Sequence, residues 1–123
     1  MVLMFITQVQ ATTLTIASYP NFDAAIRAAI PRYEKLHPDI TIRLLSLSFY
    51  DHHNAMTTAL ATGAGLPDIM GLEQGFISRF VNSGGLEILS NPPYNALQYQ
   101  PLFVPYTMVQ AQNDRGELFA MPA

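Results

Sequence analysis

The sequence predicts an α/β fold: a mainly parallel βαβ sheet with helices on both faces and a C-terminal hairpin. Three observations predict it. Three β-branched or apolar runs are separated by segments of helical period, which is the order of parallel units joined by right-handed crossovers. The tail ends in two short runs around an Asn-Asp-Arg-Gly turn. Half of the 123 residues are apolar, ample for the core of one domain of the usual ~100–200 residues.

The elements follow in order from Thr12. Leu14 to Tyr19 is rich in β-branched residues and stops at Pro20-Asn21, a strand followed by a turn. Phe22, Ile26, Ile30 and Tyr33 then form one apolar stripe of a helix. Asn21 or Asp23 can cap it, His37-Pro38 closes it, and Pro31 should kink or break it. Ile40 to Leu45 is a second strand. Asp51 can cap a second helix that turns Met56, Ala59 and Leu60 inward and stops at Gly63. Pro67 to Leu72 reads as a third, buried strand. Ile77, Phe80 and Val81 mark a two-turn helix ended by Ser83-Gly84-Gly85. Pro92, Pro93, Pro101 and Pro105 make an irregular connection, and Thr107–Gln112 pairs with Glu117–Met121 as the hairpin.

Composition excludes several functions. Only 12% of the residues are charged, against the usual share near ~25%, and the net charge is −3 with no basic block. A nucleic-acid footprint is therefore missing. With no cysteine there is no disulfide, thiol nucleophile, Cys-based zinc site or lipid-bearing cysteine. Residues 1–11 open with Met1 to Ile6, wholly apolar, and close with small residues at Val9 and Ala11. They read either as a truncated signal peptide or as a frayed or misassigned start, since the apolar run is short and lacks a preceding cation.

In parallel sheets the ligand lies beyond the carboxyl ends of the strands. That rule selects Tyr19 and Asn21 after the first strand, Phe49 and Tyr50 after the second, and Glu73 and Gln74 after the third. Rings beside donors and acceptors suit a sugar, whose apolar C–H faces are rimmed by hydroxyls. The alternative is that Tyr19, Phe49 and Tyr50 plug the edge of the core. Chemistry is harder to find. The adjacent His52-His53 lacks the i, i+4 spacing a helical metal site requires, so solvated or capping roles are expected and no metal or cofactor is. Gly63-Ala64-Gly65 precedes a strand and lacks a third glycine. No phosphate loop or serine elbow occurs, and Glu73 has no carboxylate partner for acid–base work.

Leu60 to Ile69, with its Gly63-Ala64-Gly65-Leu66-Pro67-Asp68 turn, and Phe80 to Leu89, with its Gly85-Leu86 exit, resemble the extracellular solute-binding proteins of bacterial ABC importers. The likeness is to the sugar-binding relatives of maltose-binding protein. Tyr33 to Pro38 before Ile40-Thr41-Ile42, and Phe103 to Thr107 before Leu118 to Pro122, fit the same pattern. The resemblance implies a partial periplasmic-binding-protein-like lobe, with residues 12–123 as the N-terminal portion of the first lobe and the second lobe absent. It also implies Glu73 and Gln74 beside the solute, a membrane permease as partner, and a periplasmic location. Asp68, at the far end of its strand, is expected to be structural.

Three functions are weighed on this basis. The first is the solute-capturing component of an importer, binding a carbohydrate between two lobes and reacting with nothing. The second is a small α/β hydrolase using Glu73 or the histidine pair. The third is a truncated remnant that self-associates as a homo-oligomer through its exposed sheet edge.

Overall fold

The computed structural model describes residues 11–123; the signal-peptide reading of the first eleven residues falls almost wholly outside them. The chain divides into two compact units. One comprises the residues up to His52 together with Pro67–Gly71, and the other comprises His53–Leu66 and Leu72–Ala123.

The first unit carries a three-stranded parallel sheet, β1 (Thr12–Ser18), β2 (Ile40–Ser46) and β3 (Ile69–Met70), in the order β2-β1-β3. β1 pairs with β2 from Thr12↔Ile40 to Ser18↔Ser46 and with β3 at Ile16↔Ile69 and Ala17↔Met70. The central position of β1 explains why Ala17 and Ser18 are the buried residues of the sheet. β2 alternates half-buried Ile40, Ile42 and Leu44 with exposed Thr41, Arg43 and Leu45, the period-2 pattern of a strand covered on one side. Helix α1 (Phe22–Leu36) packs on β2 and joins it to β1.

Several expectations are corrected here. α1 is not broken at Pro31, which lies inside it at an exposed position. Asn21 makes no side-chain cap, and Asp23 turns instead to accept the Ser46 hydroxyl at 2.8 Å. β3 shrinks to two residues, and Ile69 is 52% exposed, because β3 lies at one edge of the sheet.

The Gly-x-Gly-x-Pro-Asp turn behaves as its residues dictate. Gly63 and Gly65 take φ of 69° and 72°, a region that side chains avoid. Asp68 does not bond the turn, however. Its Oδ2 accepts the amide of Thr15 at 2.7 Å, one residue before β3 begins to pair with β1. The carboxylate thus extends the ladder where the short strand has not yet started. Asp68→Ala is expected to cost about 1 kcal/mol of stability, the worth of a lost hydrogen bond, and to leave solute affinity unchanged. Denaturant unfolding and a parallel titration check both halves of that statement.

Helix α2 (Phe49–Thr62) begins earlier than its sequence suggested. Ser48 accepts the Asp51 amide at 3.4 Å and donates its hydroxyl to the Asp51 carboxylate at 2.6 Å. This reciprocal Ser-x-x-Asp cap puts Phe49 and Tyr50 in the first turn of the helix and not in a loop. Further along, Met56 and Ala59 are buried and Leu60 lies against Gly85.

The second unit continues through α3 (Ile77–Val81), a 3-10 segment (Ala96–Leu102) and α4 (Pro105–Gln110). Its core gathers Ala96, Met108, Ala111 and Leu118, with Leu89, Phe103, Ala120 and Met121 packed around them. The expected hairpin survives only as one antiparallel bridge, Gln112↔Leu118. Its turn is as expected: Asn113 Oδ1 accepts the amides of Arg115 and Glu117. The Arg115 guanidinium and the Asn113 amide hold the Glu117 carboxyl below its ordinary range. The first arm is helix instead of strand, since Pro105 opens it at a position that needs no amide. One turn of helix then carries Met108 and Ala111 to the core.

Candidate functional site

The six residues selected from the sequence fall into two groups, each described within its own unit. Tyr19, Phe49 and Tyr50 come together at the carboxyl ends of β1 and β2. The Tyr19 ring meets Phe49 edge-on at 5.3 Å, and Phe49 meets Tyr50 edge-on at 5.3 Å. Tilted contacts join Tyr19 to Phe22 at 5.9 Å and to His52 at 5.4 Å. Edge-to-face geometry at these separations is the favourable arrangement of aromatic quadrupoles. Tyr19 and Phe49 are half-buried, whereas Tyr50 remains 72% exposed. The cluster is therefore half-buried at its base and open at its rim.

Asn21 is exposed beside Tyr19 in the chain and holds φ 75°, ψ −49°. Such backbone costs on the order of 1–3 kcal/mol and collects at ligand-binding positions. Its side chain makes no capping bond.

Glu73 and Gln74 follow β3, where the chain turns toward α3. Glu73 is half-buried and its Oε2 accepts the amide of Gly75 at 2.7 Å, while Gln74 is exposed. With Gly75, Ile77, Ser78 and Gln110 they line an open concavity of about 300 Å³. The lining is neutral apart from Glu73. It offers a carboxylate, two amides and a hydroxyl, all groups that pair with hydroxyls.

Sequence reasoning missed five residues that the structure places beside these groups. Phe22 was read only as part of a helix stripe, and Ser78 and Gln110 carried no signal. The histidines were expected to be solvated or capping, yet His52 and His53 are both buried. His52 Nε2 lies 2.7 Å from the Gly71 carbonyl, and His53 Nε2 lies 3.1 Å from the Glu73 amide. Both rings are occupied by the backbone around the end of β3, not by solvent. Among the described residues no group of three or more His, Cys, Asp or Glu could hold a metal ion. No helix among them is long and apolar enough to cross a membrane.

The first unit thus carries an aromatic cluster at the carboxyl end of its parallel sheet, and the second a hydrogen-bonding concavity. The chain belongs to the family described as bacterial extracellular solute-binding protein, whose model matches residues 17–113. Proteins of this family bind solutes and are not enzymes. No curated protein matches the chain, but solved structures share its fold. The GacH receptor of Streptomyces glaucescens, solved unliganded and with acarbose, aligns with a TM-score of 0.77 and 24% identity, covering 91% of this chain and 29% of its own. An ABC substrate-binding protein from Listeria monocytogenes in complex with cycloalternan gives 0.68 and 21%, covering 89% and 28%. A periplasmic oligogalacturonide binding protein from Yersinia enterocolitica, in complex with saturated digalacturonic acid, gives 0.66 and 21%, covering 86% and 26%. The chain thus spans less than a third of the length of the structures it resembles.

Proposed function

We propose that the chain is the N-terminal portion of the first lobe of a periplasmic carbohydrate-binding protein, which captures its solute in an interlobe cleft for delivery to the permease of an ABC importer. The observation that carries the carbohydrate reading is the aromatic rim. Tyr50 stands open on a base of Phe49 and Tyr19, and a flat ring so held matches the C–H face of a pyranose. Tyr19, Asn21, Phe49 and Tyr50 are the solute-contacting residues of the first unit. Glu73 and Gln74 are those of the second, suited to the hydroxyl rim. Similarity to receptors solved with acarbose, cycloalternan and digalacturonic acid supports the same class of solute.

The test is a nuclear magnetic resonance titration of the chain with maltotriose, a neutral oligosaccharide, and with an amino-acid mixture as control. Saturable shifts of the Tyr19, Phe49 and Tyr50 ring signals with the saccharide alone are expected. Binding should be weak, because tight pockets bury most of a ligand's surface and this rim covers one side. Ring signals that ignore the saccharide, or that follow the amino acids, would count against the reading.

A further inference from the structure

His52 and His53 are neighbours in α2, fully buried, and tied to the backbone in opposite senses. A carbonyl oxygen only accepts, so His52 Nε2, 2.7 Å from the Gly71 carbonyl, carries its proton. A backbone amide only donates, so His53 Nε2, 3.1 Å from the Glu73 nitrogen, is bare. Two adjacent imidazoles are thereby fixed in opposite protonation patterns, one on each side of Leu72. His53 also stacks on Phe76 with centroids 4.1 Å apart and planes 23° apart. Imidazole nitrogen and ring face together grip both ends of the segment Glu73–Phe76.

From this geometry we infer that His53 is a positioning residue for solute binding. Its neutral ring, protonated at Nδ1, holds the loop that presents Glu73 and Gln74, and protonation of Nε2 releases that loop. The inference rests on the reading of Glu73 and Gln74 as solute-contacting. Its sign follows from donor counting. A proton on Nε2 opposes the Glu73 N–H, so one bond is lost and a charge is placed in a buried site. The charged groups that the described residues bring near the ring include Glu73, Arg79 and Asp51. The Glu73 carboxylate is engaged by the Gly75 amide at 2.7 Å. The Arg79 guanidinium lies 5.7 Å from the centre of the Phe76 ring on which His53 stacks and disfavours a second cation. On its own helix, His53 follows Asp51 and His52; the Asp51 carboxylate accepts from Ser48.

The experiment follows imidazole nitrogen signals and the Glu73 amide in the ¹⁵N-labelled chain from about pH 8 to about pH 5, the range in which histidines change charge. At the upper end His53 should show a bare Nε2 and a protonated Nδ1, with His52 the reverse. His53→Phe keeps a ring against Phe76 but removes the acceptor, and Glu73 amide exchange should rise about fivefold, the scale of one hydrogen bond. His53→Gln, whose side-chain carbonyl can accept, should restore part of the protection, and neither variant should keep the pH response. Maltotriose shifts at Glu73 and Gln74 should shrink on acidification in the parent chain and stay pH-independent in His53→Phe. A proton on Nε2 of the neutral ring would overturn the inference, even if the variants fail to fold. So would a Glu73 amide indifferent to His53→Phe. If the clasp is absent while maltotriose still moves Glu73 and Gln74, the positioning role alone falls. If the clasp is present but maltotriose leaves those signals unmoved, the positioning role falls together with the solute-contacting reading.

Discussion

Replacing Gly71 by alanine is expected to lower the stability of the first unit by about 1–3 kcal/mol, the usual cost of overpacking, and to weaken saccharide binding at the same time. A β-carbon at Gly71 would stand 2.8 Å from both Cδ1 and Cε1 of Phe22. The backbone cannot retreat easily, because the Gly71 amide donates to the Ala17 carbonyl at 2.8 Å and the Gly71 carbonyl accepts from His52. The ring of Phe22 must therefore move, and it lies 5.9 Å from Tyr19, the base of the aromatic rim. Urea unfolding and maltotriose titration of Gly71→Ala would show the two losses together. Adding Phe22→Leu, which shortens the obstructing side chain, should recover part of the stability but not the binding. Such coupling is expected between residues in contact. An alanine variant as stable as the parent would show that the ring has room to step aside.

Tyr50→Ala is expected to reduce saccharide affinity about three- to tenfold, corresponding to the ~0.5–1.5 kcal/mol of an aromatic contact. Stability should stay within ~0.5 kcal/mol, as for other surface substitutions. The separation of the two effects follows from exposure. The ring is 72% open and touches the protein through its edge-on contact with Phe49, so little core is lost with it. Tyr50→Phe should keep most of the affinity if the face of the ring is what binds, and lose it if the hydroxyl does. Equal affinity in Tyr50→Ala and the parent would remove the rim from the solute site.

Most of the sheet could be read in the sequence, because parallel strands and crossover helices impose periods that side chains cannot disguise. β1, α1 and β2 fall where their apolar spacing puts them. The failures occur where one polar residue outweighs a pattern. Ser48 and Asp51 form a cap that draws Phe49 and Tyr50 into α2, a Ser-x-x-Asp signature visible in the sequence but assigned to Asp51 alone. Pro105 turns an apparent strand into α4 because its ring suits a first helical turn. Asp68 is structural, but its partner is the distant Thr15 amide, which no local rule supplies. The adjacent histidines were weighed as metal ligands or solvated groups. Their burial against the backbone depends on where β3 ends, and spacing within one helix carries no information about that. The aromatic cluster of the first unit could be found by a topological rule, whereas Ser78 and Gln110 of the second depend on tertiary placement.

Glu34 bears on how this protein meets other chains. Its carboxylate accepts the Ile42 amide at 2.8 Å, on the strand at the end of the sheet opposite β3. That amide would otherwise be a free donor for a stranger's carbonyl, and open donors of this kind are where sheets grow into fibrils. An acidic side chain folded back from α1 blunts the β2 margin against such recruitment. Polymerisation through that border would first have to evict a charged group from a bond it already holds.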